Sequence, residues 1–210
     1  MRRAPMVRTS SSITRHVRAL AEREPAFAGI LEKHGMPEPR VSEPGATTLL
    51  RTIVGQQVSV AAARSMWAKL EAAFGSPPVL KALLAASDDD MRAAGMSRQK
   101  SGYIRSLAEL VLSGELDLGN LPRDNEEAIA LLTKIKGIGR WSAEIYLLFA
   151  EGRDDVFPAG DLAVQVELGR LMGLKDKPTE KQLREMAEAW SPYRGAAAVL
   201  AWHSYNSAVL

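Results

Sequence analysis

The sequence predicts an all-α protein of about ten short helices with no sheet. Apolar residues recur at steps of three and four positions, as at Ile104, Leu107, Leu110 and Val111, which places them on one face of a helix. Strict alternation of apolar and polar residues, the pattern of a half-buried strand, is nearly absent. Glycine and proline separate the periodic stretches, so the helices are expected to be short.

Capping residues indicate where several of these helices begin. A Ser, Thr or Asp side chain can accept a hydrogen bond from the first turn, and a Glu or Gln three positions later can return one. The predicted helices are, in chain order, 60–74 after Ser59, 98–112 after Ser97, one opened by Asp124 with Glu127, one opened by Thr179 with Gln182, and a final helix from Gly195. The final helix is rich in alanine and is expected to be buried.

The composition is that of a globular chain, and it excludes several kinds of site. The 210 residues are 46% hydrophobic and 25% charged, enough to bury a core as one domain or as two small lobes. Because cysteine is absent, disulfides, thiolate metal ligands, cysteine nucleophiles and iron–sulfur clusters are excluded. The histidines at 16, 34 and 203 form no metal-binding motif, so no side-chain metal site is expected. A net charge of +2 does not by itself indicate nucleic acid.

Neither membrane insertion nor export is indicated. No run approaches the ~18 apolar residues of a membrane span, and no signal peptide opens the chain. We therefore expect a soluble intracellular monomer, located in the cytoplasm with the bacterial nucleoid or in a nucleus. Residues 1–15 are basic and contain no acid, and we expect a disordered tail there; a transit peptide or a DNA-seeking tail would share this composition.

The most informative segment is 131–149, which predicts a helix, a tight turn and a second helix. Apolar residues on both sides keep helical spacing, while Gly137 and Gly139 give the turn its backbone freedom. Successive N–H groups can then point outward at the start of a helix, where the partial positive charge favours an anion. The segment therefore predicts a phosphate-binding turn. After a short loop, Pro158-Ala-Gly-Asp161 adds a carboxylate.

These segments resemble those of a known family. The turn resembles the helix-hairpin-helix, whose Gly-hydrophobic-Gly turn binds the backbone of duplex DNA, and Asp161 resembles the aspartate of the Gly/Pro-Asp signature in DNA glycosylases with this motif. At Lys136 the family more often has proline, which would pre-set the turn. Three further segments resemble 3-methyladenine DNA glycosylase II, and they are Leu50-Arg-Thr-Ile-Val-Gly-Gln-Gln-Val-Ser-Val60, Gly95-Met-Ser-Arg-Gln-Lys-Ser-Gly-Tyr103 and Trp190-Ser-Pro-Tyr-Arg194.

The resemblance implies two helical lobes, with the helix-hairpin-helix next to the cleft between them. One lobe would comprise residues 45–153, including the hairpin at 131–149. The other would join residues 16–44 to residues 154–210. Periodicity alone does not predict this division.

The resemblance also assigns DNA-backbone contacts and a cation to the hairpin. The residues that match the backbone-binding positions are Gly137, Ile138, Gly139, Arg140 and Ser142. In the family, backbone carbonyls at the positions of Thr133, Ile135 and Ile138 bind a monovalent cation, Na⁺ or K⁺, that also contacts a DNA phosphate. No other cofactor is implied, and the iron–sulfur cluster of some relatives is excluded by the absence of cysteine.

Asp161 has two compatible roles. Its position after Pro-Ala-Gly and before an apolar helix is that of an N-cap. The family resemblance makes it the catalytic residue, since a carboxylate near the anomeric carbon stabilises the oxocarbenium character that develops as the N-glycosidic bond breaks. The positive end of the helix dipole favours a negative charge at that point in either role.

The remaining site residues follow from the resemblance. In bifunctional relatives a lysine two positions after the last turn glycine attacks the sugar, whereas Trp141 stands there in this chain, so hydrolysis by water is expected. Trp141, Tyr193 and Gln56 match positions at the base pocket, where aromatic faces can stack on a cationic base. Gln57 matches the wedge that fills the gap left by a flipped base. Core packing remains the alternative for both aromatic residues, and the tryptophans at 67, 190 and 202 are expected in the core.

The sequence thus favours a monofunctional DNA glycosylase that flips out and hydrolyses alkylated purines, of the 3-methyladenine and 7-methylguanine type, from double-stranded DNA in base excision repair. One alternative is a glycosylase for a different damaged or mismatched base. Another is a non-catalytic helix-hairpin-helix module that only binds DNA. A bare module needs neither the Asp161 segment nor the helix around Gly55-Gln-Gln-Val-Ser59.

Overall fold

The computed structural model describes residues 10–209, with side-chain surroundings for residues 13–207. Within that range the chain forms twelve α-helices and one 3₁₀ turn, and no strand. The helices are α1 Ser10–Arg23, α2 Pro25–His34, α3 Ala46–Gly55, α4 Val60–Phe74, α5 Leu80–Ala85, α6 Asp88–Ala93, α7 Arg98–Leu112, α8 Asn125–Leu132, α9 Arg140–Phe149, α10 Leu162–Leu171, α11 Glu180–Ala187 and α12 Arg194–Val209, with the 3₁₀ turn at Glu188–Trp190. The all-α prediction is confirmed. Over the described part of the chain, no helix is both long and apolar enough to cross a membrane.

The predicted helix starts are confirmed by their capping bonds. The Ser59 hydroxyl accepts the Ala62 N–H at 3.2 Å and the Ser97 hydroxyl accepts the Lys100 N–H at 3.2 Å. Thr179 forms the complete reciprocal box with Gln182. These bonds satisfy N–H groups that have no partner within the helix, which is why the sequence signal located them.

The chain divides into two compact units. The first, which we call the central unit, is the continuous segment Glu43–Tyr146. The second, the terminal unit, joins the chain up to Ser42 to the chain from Leu147 onward. The family resemblance implied a later boundary at residue 153, whereas the division in the structure falls inside α9. The reason is packing, since Leu148 lies where a Cβ on Gly195 would meet it at 2.6 Å, and Phe149 lies against the Trp202 ring with centroids 5.6 Å apart.

The first helix starts within the segment expected to be a disordered tail. Helix α1 begins at Ser10, so the expectation fails for residues 10–15. Ile13, Val17 and Leu20 follow helical spacing and are buried, at 6%, 0% and 0% exposure, and this apolar face accounts for the ordered helix. Residues 1–9 of the expected tail lie outside the described residues.

The core of the terminal unit is built around the final helix, as predicted. Side chains from α1, α2 and α10 pack with the alanines of α12, and Ala196, Ala197 and Ala198 are fully buried. The helix begins at Arg194, one position before the expected start. Trp190 is in the core as expected, edge-on to Phe27 with ring centroids 5.2 Å apart.

Candidate functional site

The hairpin turn lies between α8 and α9 in the central unit, and its two glycines differ in what surrounds them. Gly137 has a φ of +83°, and a Cβ built on it would lie 2.1 Å from the Cδ2 atom of Tyr103. Glycine is therefore required at 137 by the backbone torsion and by the ring from α7. A Cβ on Gly139 would meet no atom within 4 Å. Nothing in the described protein requires glycine at 139, so the open space there is available to an external group.

The start of α9 presents backbone donors next to that space. The first helical bond runs from the Ala143 N–H to the Gly139 carbonyl at 3.0 Å, so the N–H groups of Arg140 and Ser142 precede the helical ladder. Such a helix start favours an anion. Ile138, also predicted to bind the DNA backbone, donates its N–H to the Ile135 carbonyl at 3.0 Å. Its amide therefore stabilises the turn from within.

The Arg140 guanidinium is held by two carboxylates. It donates from Nη1 to Glu126 at 2.8 Å and from Nε to Glu144 at 3.0 Å, and Glu144 is only 1% exposed. The hydrogen bond to Glu126, together with the charge of Glu144, raises the pKa of Arg140 despite partial burial. The positive charge is thus balanced within the protein. This geometry supports the predicted DNA contact of Arg140 through its backbone N–H rather than through its guanidinium.

The turn between α3 and α4 carries the pair of glutamines. Gln57 is exposed and adopts a φ of +56°, a conformation uncommon for residues other than glycine. Gln56 ends α3, and its side-chain amide donates from Nε2 to the Gly137 carbonyl at 2.8 Å. The residue expected at the base pocket is thus bonded to the hairpin turn. The sequence contained no local signal for this contact, because the two residues are 81 positions apart.

Asp161 caps α10 in the terminal unit, as predicted. Its Oδ1 atom accepts the Val164 N–H at 3.0 Å and the indole N–H of Trp202 at 3.1 Å. Trp202 was expected in the core, but it is only partly buried, and its N–H orients the carboxylate. Sequence reasoning missed this residue because its position on α12 looks like an ordinary core position in a helical pattern.

The loop that leads to Asp161 is fixed by a buried amide. The Gln165 side chain, 7% exposed, donates to the Ala159 carbonyl at 2.7 Å and accepts from Lys177 Nζ at 2.6 Å. A Cβ on Gly160 would lie 3.2 Å from a carboxylate oxygen of Glu180, so the loop is also tightly enclosed. These contacts restrict the positions that the Asp161 carboxylate can take.

Tyr193 lies at the start of α12, in the same unit as Asp161. One face of its ring stacks on His16, with centroids 5.4 Å apart and planes inclined by 28°, and the Arg23 guanidinium lies 5.8 Å from the ring centre. Arg194 next to it binds Asp155 through Nε at 2.9 Å and Nη2 at 2.8 Å, and this hydrogen bonding raises its pKa. The ion pair anchors the turn that presents Tyr193.

The other predicted pocket aromatic is in the central unit. Trp141 is 46% exposed, so it is not a core residue. By the family resemblance it stands where bifunctional relatives have the attacking lysine, and an indole cannot act as an amine nucleophile. Lys134 and Lys136 are exposed and precede the first helical turn of α9.

The predicted cation ligands are backbone carbonyls at the end of α8 and in the turn. Thr133 is the C-cap of α8, a position where helix carbonyls lack intrahelical partners. The Ile135 carbonyl accepts the Ile138 N–H, and a carbonyl oxygen has a second lone pair. The donor set is all oxygen and suits a monovalent cation in kind. Among the described residues, no group of three or more His, Cys, Asp or Glu side chains could hold a metal ion.

Comparison with known proteins gives a consistent result. The chain is 34% identical over 158 residues to DNA-3-methyladenine glycosylase 1 of Schizosaccharomyces pombe, covering 73% of this chain and 69% of that protein. The chain covers a smaller part of two further relatives, 57% and 64% of their own lengths.

Solved structures agree with the sequence comparison. A crystal structure of DNA-3-methyladenine glycosidase from Bacillus halodurans has a TM-score of 0.83 at 30% identity, covering 92% of this chain and 90% of that one. The structure of the S. pombe 3-methyladenine DNA glycosylase in complex with abasic DNA has a TM-score of 0.73 at 28% identity, covering 94% and 98%.

The resemblance predicted from the sequence is therefore confirmed. The segment that matches a known family runs from residue 50 to residue 192 and includes both the hairpin and Asp161. The chain belongs to the HhH-GPD superfamily of base excision DNA repair proteins.

Proposed function

We propose that this protein is a monofunctional DNA glycosylase that excises alkylated purines, of the 3-methyladenine and 7-methylguanine type, from duplex DNA. The observation that carries the proposal is the Asp161 carboxylate, held at the start of α10 by the Val164 N–H and the Trp202 indole. Relatives named 3-methyladenine DNA glycosylases, one of them in complex with abasic DNA, support the substrate class.

The role that we assign to Asp161 is electrostatic stabilisation. When the bond between C1′ and the base nitrogen breaks, its electron pair leaves with the base and positive charge develops on the sugar. An oriented carboxylate stabilises that charge and can align a water molecule on the face of the sugar opposite the departing base. Water then adds to C1′ and loses a proton to solvent, leaving an abasic site. A base that already carries a positive charge departs as a neutral molecule, so no strong general acid is needed.

Recognition of such a base is assigned to aromatic faces. A desolvated cation over an aromatic ring gains up to ~2 kcal/mol, which a neutral base does not. Trp141, 46% exposed, and Tyr193, partly buried, are the candidates. We therefore expect cationic methylated purines to be released faster than the neutral 8-oxoguanine.

Binding of the DNA backbone is assigned to the hairpin. The open space at Gly139 and the N–H groups at the start of α9 suit a phosphate. A monovalent cation bound by the carbonyls of Thr133, Ile135 and Ile138 would add positive charge beside that phosphate.

Absence of lyase activity follows from Trp141 in place of the lysine. The product is then an intact strand with an abasic site, cleaved only by later alkali or heat. Borohydride is expected to trap no covalent complex between protein and lesion DNA. A trapped adduct would show that another amine attacks the sugar, with Lys134 and Lys136 the first to replace.

The deciding experiment is single-turnover release from duplexes that each carry one modified purine. Asp161→Asn should keep DNA affinity within several-fold and lower excision by about 10²-fold or more, the effect of losing a preorganised charge. Asparagine keeps an oxygen for both donors, so the fold should be retained. Asp176→Asn, at an exposed aspartate in the same unit, is the matched control and should behave as wild type. Full excision by the folded Asp161→Asn variant would leave Asp161 with its N-cap role alone.

A further inference from the structure

The Gln57 turn is held in an uncommon conformation by its surroundings. A φ of +56° at a glutamine persists only where neighbouring contacts impose it. Lys100 of α7 is buried and donates from Nζ to the Val54 carbonyl at 2.5 Å, which anchors the end of α3 just before the turn. Burial also lowers the pKa of Lys100.

The same helix anchors the hairpin turn. The Ser106 hydroxyl accepts the Lys136 N–H at 3.1 Å, and the Tyr103 ring lies directly against Gly137. Lys100, Tyr103 and Ser106 are spaced three residues apart, so they lie along one face of α7. One face of α7 therefore supports both the turn that carries Gln57 and the hairpin turn that is proposed to bind phosphate.

Gln56 connects these two turns directly. Its amide donates to the Gly137 carbonyl at 2.8 Å, and the N–H at the other end of that peptide unit, on Ile138, donates to Ile135 at 3.0 Å. The peptide between Gly137 and Ile138 is thus clamped at its oxygen by the α3–α4 turn and at its nitrogen by the hairpin itself. Bonds at both ends of one peptide unit fix its orientation and polarise each other.

We propose that Gln56 is a positioning residue that couples backbone binding by the hairpin to insertion of Gln57 at the lesion. The inference rests on the proposed function, because it assigns Gln57 to the gap left by a flipped base. Without the Gln56 amide, each turn keeps its own contact with α7, but no direct bond between the two turns fixes the distance between them. A phosphate bound at the hairpin then no longer determines where Gln57 stands.

This role makes a different prediction from direct contact of Gln56 with the base. If Gln56 acts by placing Gln57, its removal should matter only while Gln57 is present. If Gln56 instead touches the base, the effects of replacing the two residues should be independent. The isostere Gln56→Glu separates size from hydrogen bonding, because an ionised carboxylate cannot donate to the Gly137 carbonyl.

The test is a double-mutant cycle with Gln56→Ala, Gln57→Ala and the double variant. Single-turnover excision should fall about tenfold in Gln56→Ala, in the usual range for coupled sites, with plain-duplex affinity within about twofold of wild type. In the Gln57→Ala background, Gln56→Ala should change excision by less than about twofold. Gln56→Glu should lose as much excision activity as Gln56→Ala. It replaces the alanine variant in the cycle if that variant melts at a lower temperature than wild type. Additive losses, or wild-type excision by Gln56→Glu, would overturn the proposal.

A second readout does not depend on base release. Wild type and variants are bound to a duplex that carries a stable abasic analogue flanked by 2-aminopurine, whose fluorescence reports insertion of a side chain into the gap. The fluorescence change should be present in wild type and reduced in Gln56→Ala and in Gln56→Glu. If wild type inserts but releases no base from any duplex, the proposed function fails while the coupling stands. If both Gln56 variants give the same fluorescence change as wild type, the coupling fails, whether or not the enzyme releases a base.

Discussion

Trp202 donates its indole N–H to the Oδ1 atom of Asp161 at 3.1 Å, across 41 positions of sequence. The same oxygen accepts the Val164 N–H, so an N-cap bond and a tertiary bond act on one atom. A carboxylate held in this way is already oriented before substrate arrives, and preorganised charge is the main source of electrostatic catalysis.

The first prediction concerns this bond. Trp202→Phe keeps an aromatic ring beside Phe149 but removes the N–H, so excision should fall about tenfold while the fold is retained. Single-turnover rates on methylated duplex measure the loss, and thermal melting checks the fold. In the Asp161→Asn background the same change should have little further effect. Wild-type rates in Trp202→Phe would mean that the indole bond does not orient the carboxylate.

The second prediction separates the two turn glycines. Gly137→Ala should lower the free energy of unfolding by about 1–3 kcal/mol, because a Cβ at φ +83° meets the Tyr103 ring. Gly139→Ala should change the free energy of unfolding by less than about 1 kcal/mol, the scale of an N-cap effect. It should nevertheless weaken binding to plain and lesion duplexes to the same extent. Urea unfolding and DNA affinity measure the two effects. If Gly139→Ala bound DNA as wild type does, no phosphate would approach that backbone closely.

The third prediction concerns Arg140. Since its guanidinium is paired with Glu126 and the buried Glu144, Arg140→Ala should destabilise the fold by about 1–3 kcal/mol through the carboxylate left without this partner. The salt dependence of DNA affinity should stay unchanged, whereas loss of a side chain that neutralises a phosphate lowers the slope by about 1. Lys136→Ala, at an exposed lysine beside the turn, is the comparison. A lower slope in Arg140→Ala would show that the guanidinium leaves its carboxylates for DNA.

The fourth prediction concerns Tyr193. Tyr193→Phe should be mild because the ring face remains, while Tyr193→Ala should remove ~1–3 kcal/mol of base stacking. His16→Ala removes the ring stacked 5.4 Å from Tyr193 and should reproduce part of the alanine effect if His16 holds the tyrosine in place. Affinity and single-turnover rates on methylated duplex are measured with melting curves for all three variants. Full activity in Tyr193→Ala would restrict Tyr193 to packing.

Much of the fold was determined by local sequence. Helical spacing of apolar residues and capping side chains such as Ser59, Thr179 and Asp161 act within about one turn of helix, so their pattern is legible along the chain. The tight turn between α8 and α9 and the N-cap role of Asp161 belong to this class. The same principle would have found the start of α1, where Ile13, Val17 and Leu20 already formed an apolar face.

The tertiary structure alone decided which side chains act on the site residues. The Tyr103 ring behind Gly137, the Glu126 carboxylate on Arg140, the Trp202 indole on Asp161 and the Gln56 amide on the hairpin come from residues distant in sequence. A side chain contributes to such a contact through its direction and reach in the folded chain, and neither has a periodic signature. The sequence therefore specified the helices, the turn and the carboxylate, while the packing of α7 and α12 determined how the turn and the carboxylate are held.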